Sequence, residues 1–97
     1  MEKLKLSEQD IINSVCLYMA DKKRMEPQEI DVELMYDDES YGFSSAIFFN
    51  GRSQILTHRD LIEAIRFFLE HELNGNPYSG IELVLDDEEG IIAYVQQ

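Results

Sequence analysis

The fold is decided by two similar stretches of sequence, SEQDIINSV at residues 7–15 and THRDLIEAI at residues 57–65, which lie fifty positions apart. A second match follows at a spacing of forty-nine positions, between VELMYDDE at residues 32–39 and IELVLDDE at residues 81–88. Because the two matches occur in the same order and their spacings differ by only one loop residue, the sequence predicts an internal duplication.

A third match pairs GFSSAI at residues 42–47 with GIIAYV at residues 90–95, forty-eight positions on. A chain of 97 residues has room for one modest hydrophobic core. We therefore expect a single domain over residues 1–97, built of two copies at about residues 7–51 and 57–97.

Each copy is predicted to open with a helix. Ser7 and Thr57 stand where N-caps are expected, and an aspartate, Asp10 or Asp60, follows each of them by three positions. The hydroxyl can accept a hydrogen bond from a first-turn amide, and the carboxylate lies at the positive end of the helix dipole. Apolar residues then recur at helical spacing. They are Ile11, Ile12, Val15 and Met19 in the first copy and Leu61, Ile62, Ile65, Phe68 and Leu69 in the second.

Two strands follow each helix. In the first copy Ile30, Val32, Leu34 and Tyr36 alternate with Asp31, Glu33 and Met35. In the second copy Ile81, Leu83 and Leu85 alternate with Glu82 and Val84. Acidic turns ending in glycine join the strands into two hairpins. The predicted fold is therefore α+β, a tandem αββ repeat whose four-stranded antiparallel sheet carries both helices on one face.

The sheet face that the helices do not cover is the predicted interaction surface. Alternation gives it acidic residues on the first strand of each hairpin and apolar or aromatic residues on the second. The partner-binding residues predicted on it are Asp31, Glu33, Met35, Phe48, Glu82, Val84, Ile92 and Tyr94. A contiguous apolar patch often marks an interface, and a sheet-to-sheet homodimer is its simplest form. The alternative is that the second strands are central and shielded by long side chains.

Charge excludes some partners. Twenty acidic and eight basic residues give a net charge of −12, which repels phosphate backbones and anionic lipid headgroups. Direct nucleic-acid binding and a membrane role are therefore not expected, whereas a basic protein surface would be attracted. Solubility alone could also explain the charge, and a nucleic-acid mimic that occupies a basic groove is a further alternative.

The two acidic turns are the second candidate site. Asp37, Asp38 and Glu39 form one cluster, and Asp86, Asp87 and Glu88 form the other. Hard cations prefer carboxylate oxygens, but adjacent acidic residues do not by themselves converge, and the calcium-loop pattern is missing from both turns. A solvated turn is the simpler interpretation, and divalent-cation or small-ligand binding in a regulatory domain is the alternative. No metal site and no cofactor is predicted.

No catalytic constellation is recognisable in the sequence. Cys16 lacks a nearby cysteine, and His58 and His71 stand thirteen residues apart on one helix, too far to share a metal. Tyr18, Phe67 and Phe68 have helical spacing and are interpreted as core rather than as a ligand pocket. We therefore predict that the protein is not an enzyme.

Two features of the sequence predict the cellular compartment. A single cysteine cannot form an internal disulfide, which favours a reducing compartment. Residues 1–6 alternate charge with leucine instead of forming the apolar run of a signal peptide, and no segment approaches the ~20 apolar residues of a membrane span. We expect a cytoplasmic protein.

The repeated helix starts at residues 7–13 and 57–65, together with the paired acidic hairpins, resemble the small acidic YxcD-like proteins of Bacillus-type bacteria, a family of unknown function. The resemblance covers nearly the whole chain and implies a bacterial cytosolic origin and an αββ-repeat fold. It transfers no site. The predicted function is a non-enzymatic interaction module that binds itself or another protein.

Overall fold

The computed structural model describes residues 3–39, 42–76 and 78–96. The elements, in chain order, are β1 (Lys3–Leu6), α1 (Glu8–Lys23), a 3₁₀ helix (Pro27–Glu29), β2 (Asp31–Asp37), β3 (Gly42–Phe49), β4 (Arg52–Leu56), α2 (His58–His71), β5 (Ile81–Asp86) and β6 (Gly90–Gln96).

The strands form two three-stranded antiparallel sheets. Sheet I has the order β1-β6-β5 and sheet II the order β2-β3-β4. The α+β class is confirmed, but the expected single four-stranded sheet is wrong. Two short strands, β1 and β4, precede the helices, and each pairs with the hairpin of the other half of the chain.

Both helices begin with the predicted capping box. Ser7 Oγ accepts a hydrogen bond from the Asp10 amide at 3.1 Å, and the Asp10 carboxylate accepts one from the Ser7 amide at 3.0 Å. Thr57 and Asp60 make the same reciprocal pair. Both boxes satisfy amides that a helix start otherwise leaves without a partner.

The β3–β4 and β5–β6 hairpins have different kinds of turn. Asn50 and Gly51 join β3 to β4 with φ of 49° and 72°, the two positive values that a tight type I′ hairpin requires. Gly90 ends the turn between β5 and β6 with φ of 79°. Asn50-Gly51 is therefore the two-residue turn of the β3–β4 hairpin.

One core joins both sheets to both helices. Its buried residues come from α1, α2, the inner faces of five strands and the residue that precedes β2. The shortest dimension of the molecule, 21 Å, fits two layers. The buried core residues are Leu6, Ile11, Val15, Met19, Ala20, Ile30, Ile47, Leu56, Leu61, Ala64, Ile65, Leu69, Leu83, Ile91, Ala93 and Val95.

The two halves of the chain occupy equivalent environments. Residues 8–19 and 58–69 have the same order of buried, half-buried and exposed positions. The register pairs Leu6 with Ala93 in sheet I and Leu56 with Ser45 in sheet II, which matches the spacings of fifty and forty-eight in the sequence. This equivalence is what a duplication would produce, and the duplication itself stays a prediction.

Neither helix in the described part of the chain has the length and apolar character that crossing a bilayer would require.

Candidate functional site

The outer face of sheet II combines exposed apolar side chains with an acidic edge. We call it the sheet II face, and its residues are Asp31, Glu33, Met35, Ser44, Ala46, Phe48, Ser53 and Ile55. Cross-strand partners lie on one face of a sheet, so Asp31, Phe48 and Ser53 form one row. Phe48 and Ile55 are 42% and 61% exposed, large fractions for apolar side chains.

The outer face of sheet I is more polar. Strand β1 brings Lys3 and Lys5 to it, and Lys5 lies opposite Tyr94. The Lys3 ammonium lies 5.8 Å from the centre of the Tyr94 ring, and Lys5 pairs with Glu89. That hydrogen bond to Glu89 raises the pKa of Lys5. Sheet I therefore carries basic residues, because residues 3–6 at the start of the chain form a strand.

The two outer faces differ at the positions of the exposed apolar residues of sheet II. Gln96 is equivalent to Phe48, forty-eight positions on, and Lys5 is equivalent to Ile55, fifty positions back. The fold therefore accommodates polar residues at both places. Phe48 and Ile55 are not required for folding by their positions in the sheet.

The eight predicted partner-binding residues are divided between the two sheets. Asp31, Glu33, Met35 and Phe48 lie on the sheet II face, whereas Glu82, Val84, Ile92 and Tyr94 lie on sheet I. The structure thus does not bring them together on one continuous sheet.

Ile92 is not part of an exposed surface. It is 1% exposed and lies on β6, the middle strand of sheet I, opposite Val84. Ala46, on the middle strand of sheet II, is also buried. The sequence-based expectation that Ile92 is displayed is wrong, because its side chain is buried on the middle strand of the sheet. Ile55 on β4, which is not among the eight predicted residues, is instead an exposed apolar residue.

A cavity of about 460 Å³ lies at the end of the sheet II face next to the Asn50-Gly51 turn. It combines two carboxylates, Glu29 and Asp31, with the Phe48 ring and Arg52. The Glu29 carboxylate already accepts a hydrogen bond from the Glu26 amide at 2.9 Å. The cavity gives the flat sheet surface a concave end.

The acidic turns use their carboxylates to bind the turn's own backbone. Asp37 Oδ1 accepts a hydrogen bond from the Glu39 amide at 3.0 Å, and Asp86 Oδ1 accepts from the Glu88 and Glu89 amides at 2.8 and 2.9 Å. The backbone bonds from Glu89 and Glu88 lower the pKa of Asp86. Over residues 3–39, 42–76 and 78–96, no group of three His, Cys, Asp or Glu side chains is placed to hold a metal ion.

Cys16 is half-buried, and its thiol donates a weak hydrogen bond to the Ile30 carbonyl at 3.6 Å. Burial, followed by the negative charge of Asp31, raises its pKa, which is the opposite of what an activated nucleophile requires. His58 and His71 stand at the two ends of α2, beside Phe43 and Phe67 respectively.

Comparison with known proteins assigns a family without a function. The family described as protein of unknown function (DUF2653) matches residues 1–88. The uncharacterised protein YxcD of Bacillus subtilis (strain 168) is 33% identical over 95 residues, which is 96% of this chain and 92% of that protein. No solved structure matches significantly.

Proposed function

We propose a function for this chain, which belongs to the DUF2653 family of unknown function, from the geometry of its two sheets. The protein is an interaction module that binds another protein through the sheet II face. Phe48 and Ile55 supply the apolar centre of the contact, and Asp31 and Glu33 supply an acidic edge. The proposal includes no catalytic step.

The observation that carries this proposal is the difference between the two outer faces. Sheet I has Gln96 and Lys5 at the positions where sheet II exposes Phe48 and Ile55. Apolar surface exposed to water costs about 25 cal/mol per Å² relative to buried surface. Large exposed apolar side chains therefore often mark a surface that a partner covers. A partner that covers this face recovers that free energy.

Charge indicates the chemistry of the partner. The chain carries a net charge of −12, and Asp31 and Glu33 line one edge of the face. A partner with a basic rim around an apolar patch would complement both the acidic edge and the net negative charge. Electrostatic attraction would also increase the rate at which the two proteins associate. A second copy would instead bring a further −12, so we favour a different protein over the homodimer that the sequence first suggested.

Two further properties belong to the proposal. The raised pKa of Cys16 and the separation of the histidines at the two ends of α2 favour a role without enzymatic activity. The single cysteine favours a reducing, cytoplasmic location. The acidic turns are not proposed as an ion site, because their carboxylates bind the turn backbone.

The test exchanges residues between equivalent positions of the two faces. Phe48→Gln and Ile55→Lys place on sheet II the kinds of residue that sheet I already carries, so both variants are expected to fold. Tyr94→Gln on sheet I is the matched control. Each protein is immobilised, exposed to a bacterial lysate at low and high salt, and its retained proteins are quantified by mass spectrometry.

We expect the wild type and the Tyr94 variant to retain a protein that has a basic surface. Both sheet II variants should fail to retain this protein, and high salt should release it. Retention of the same proteins by all four baits would overturn the proposal. Light scattering over a hundredfold dilution checks the choice of partner: a stable dimer that Phe48→Gln dissociates would assign the face to a second copy instead.

A further inference from the structure

A second concave site lies away from the sheet II face, on the outer side of α1 and α2. We call it the Tyr78 groove. It has a volume of about 440 Å³ and is lined by Tyr18, Glu63, Arg66, Phe67, Glu70 and Tyr78. Tyr18 packs against the core, as its helical spacing predicts, and also lines this groove together with Phe67.

Aromatic rings form the walls of the Tyr78 groove. The Tyr18 and Phe67 rings meet edge to face with centroids 5.7 Å apart, and Tyr78 is 85% exposed. These rings already contact cationic or ionisable groups of the chain. The Lys22 ammonium lies 4.9 Å from the centre of the Tyr18 ring, and the His71 ring lies 4.3 Å from that of Phe67. The faces of such rings attract ammonium groups.

The equivalent groove in the other half of the molecule has a different chemistry. It has a volume of about 620 Å³, and Asn13, Leu17 and Gln28 line it at the positions equivalent to Glu63, Phe67 and Tyr78. Cys16 stands there in place of Arg66. The two grooves also exchange one ring, Phe68 for Tyr18. That groove also has two carboxylates, Asp31 and Glu72, but neither stands at a position equivalent to Glu63 or Glu70. The fold therefore forms without an acidic residue at the position equivalent to 63 and without an aromatic residue at the positions equivalent to 67 and 78.

We propose that the Tyr78 groove binds a small alkyl diammonium ion. Glu63 and Glu70 lie seven positions apart on α2, about 10 Å along the helix axis, and so offer a carboxylate near each end of an extended diamine. The aliphatic stem lies against Tyr18, Phe67 and Tyr78. The lining has two acidic residues, Glu63 and Glu70, and one basic residue, Arg66, which interacts within the chain. Lys22 lies beside Tyr18, so the attraction for a dication comes from the two carboxylates and from the chain's net charge of −12.

The test measures binding by amide chemical shifts in ¹H–¹⁵N spectra. The probe is 1,6-diammoniohexane, compared with hexylammonium, with 1,6-hexanediol and with N-acetyl-lysine methylamide. We expect saturable shifts confined to the Tyr78 groove for the diammonium ion, weaker binding of both monoammonium probes, and no shifts with the diol. The lysine amide distinguishes a free diamine from a lysine side chain of a protein, because it can reach only one of the two carboxylates.

Variants that copy the other groove locate the site. Tyr78→Gln and Glu63→Asn should each weaken diammonium binding about two- to fivefold, the effect of losing one exposed cation–π or ion-pair contact. Glu88→Gln, which removes one negative charge in the turn between β5 and β6, is the control. Equal weakening by the control would assign the effect to net charge, and equal binding of the diol would assign it to apolar contact. Either result, or shifts outside the groove, would overturn the proposal.

Discussion

At the residue scale, two features of the structure disfavour any side chain at Gly90. Its φ of 79° is a conformation that residues with a Cβ rarely adopt, and a Cβ built there would lie 2.6 Å from Glu8 Oε2. That carboxylate accepts a hydrogen bond from the Ile91 amide at 3.1 Å. Gly90→Ala should therefore strain the backbone and also displace Glu8, at a total cost of about 2–3 kcal/mol. Urea unfolding followed by circular dichroism measures the change in the free energy of unfolding.

Gly51 offers the matched control for this prediction. Its φ of 72° imposes similar backbone strain, but a Cβ there would meet no atom within 4 Å. Gly51→Ala should cost only about 1 kcal/mol. In a Glu8→Ala background the extra cost of Gly90→Ala should disappear, since the displaced contact is already absent. Equal costs at Gly51 and Gly90 would show that the Glu8 hydrogen bond contributes nothing.

Residue-level expectations from the sequence were correct where they depended on local geometry. The capping pairs of Ser7 and Thr57 are confirmed because a helix start is determined within four residues. The outward direction of Phe48 follows from alternation in the same way. The burial of Ile92 could not be predicted, because it depends on which strands flank β6 and on how far they extend.

At the scale of the element, Asp86 makes the turn between β5 and β6 sensitive to pH. Hydrogen bonds from the Glu89 and Glu88 amides lower its pKa below the ordinary value of 3.8. A carboxyl group whose pKa is lower in the folded state stabilises the fold above its unfolded pKa, and this contribution is lost as the pH falls through the folded value. Asp86→Asn should therefore destabilise the protein at pH 6, and its difference from the wild type should shrink towards pH 2.

The measurement is the urea midpoint of both proteins between pH 2 and pH 7. Asp87→Asn removes one charge from the same turn and leaves the hydrogen bonds of Asp86 in place, so its effect should be smaller at pH 6. If Asp86→Asn changed the midpoint by the same amount at all pH values, the turn would owe its stability to packing or backbone conformation instead of to this carboxylate.

Two helices and four strands were predictable, and two short strands were not recognised. Helices α1 and α2 and the two hairpins follow from periodicities that extend over six or more residues. Strands β1 and β4 are four and five residues long, too short for a clear pattern. The signal for β4 was nevertheless present, because Asn50-Gly51 is the dipeptide most typical of a two-residue hairpin. Recognising it would have placed Ile55 on the sheet II face.

At the scale of the whole molecule, the two halves are linked by an exchange of strands. Strand β1 lies in the first half but pairs with β6, and β4 lies in the second half but pairs with β3. Sequence periodicity shows which residues of a strand face the core, but it does not show which strands pair with each other. The division into two sheets therefore could not be predicted from the repeat, although the single core could.

This exchange predicts that the two sheets unfold together. Leu6 on β1 and Leu56 on β4 are each 2% exposed and belong to the same core. Leu6→Ala and Leu56→Ala should each destabilise the protein by about 2–5 kcal/mol. Because each residue lies on a strand that joins one half to the other, the loss should reach both sheets. Urea titrations followed by the amide signals of Ala93 in β6 and Ile47 in β3 should give one midpoint in each variant. Two midpoints, with sheet I lost first in Leu6→Ala and sheet II first in Leu56→Ala, would instead describe two independently stable halves.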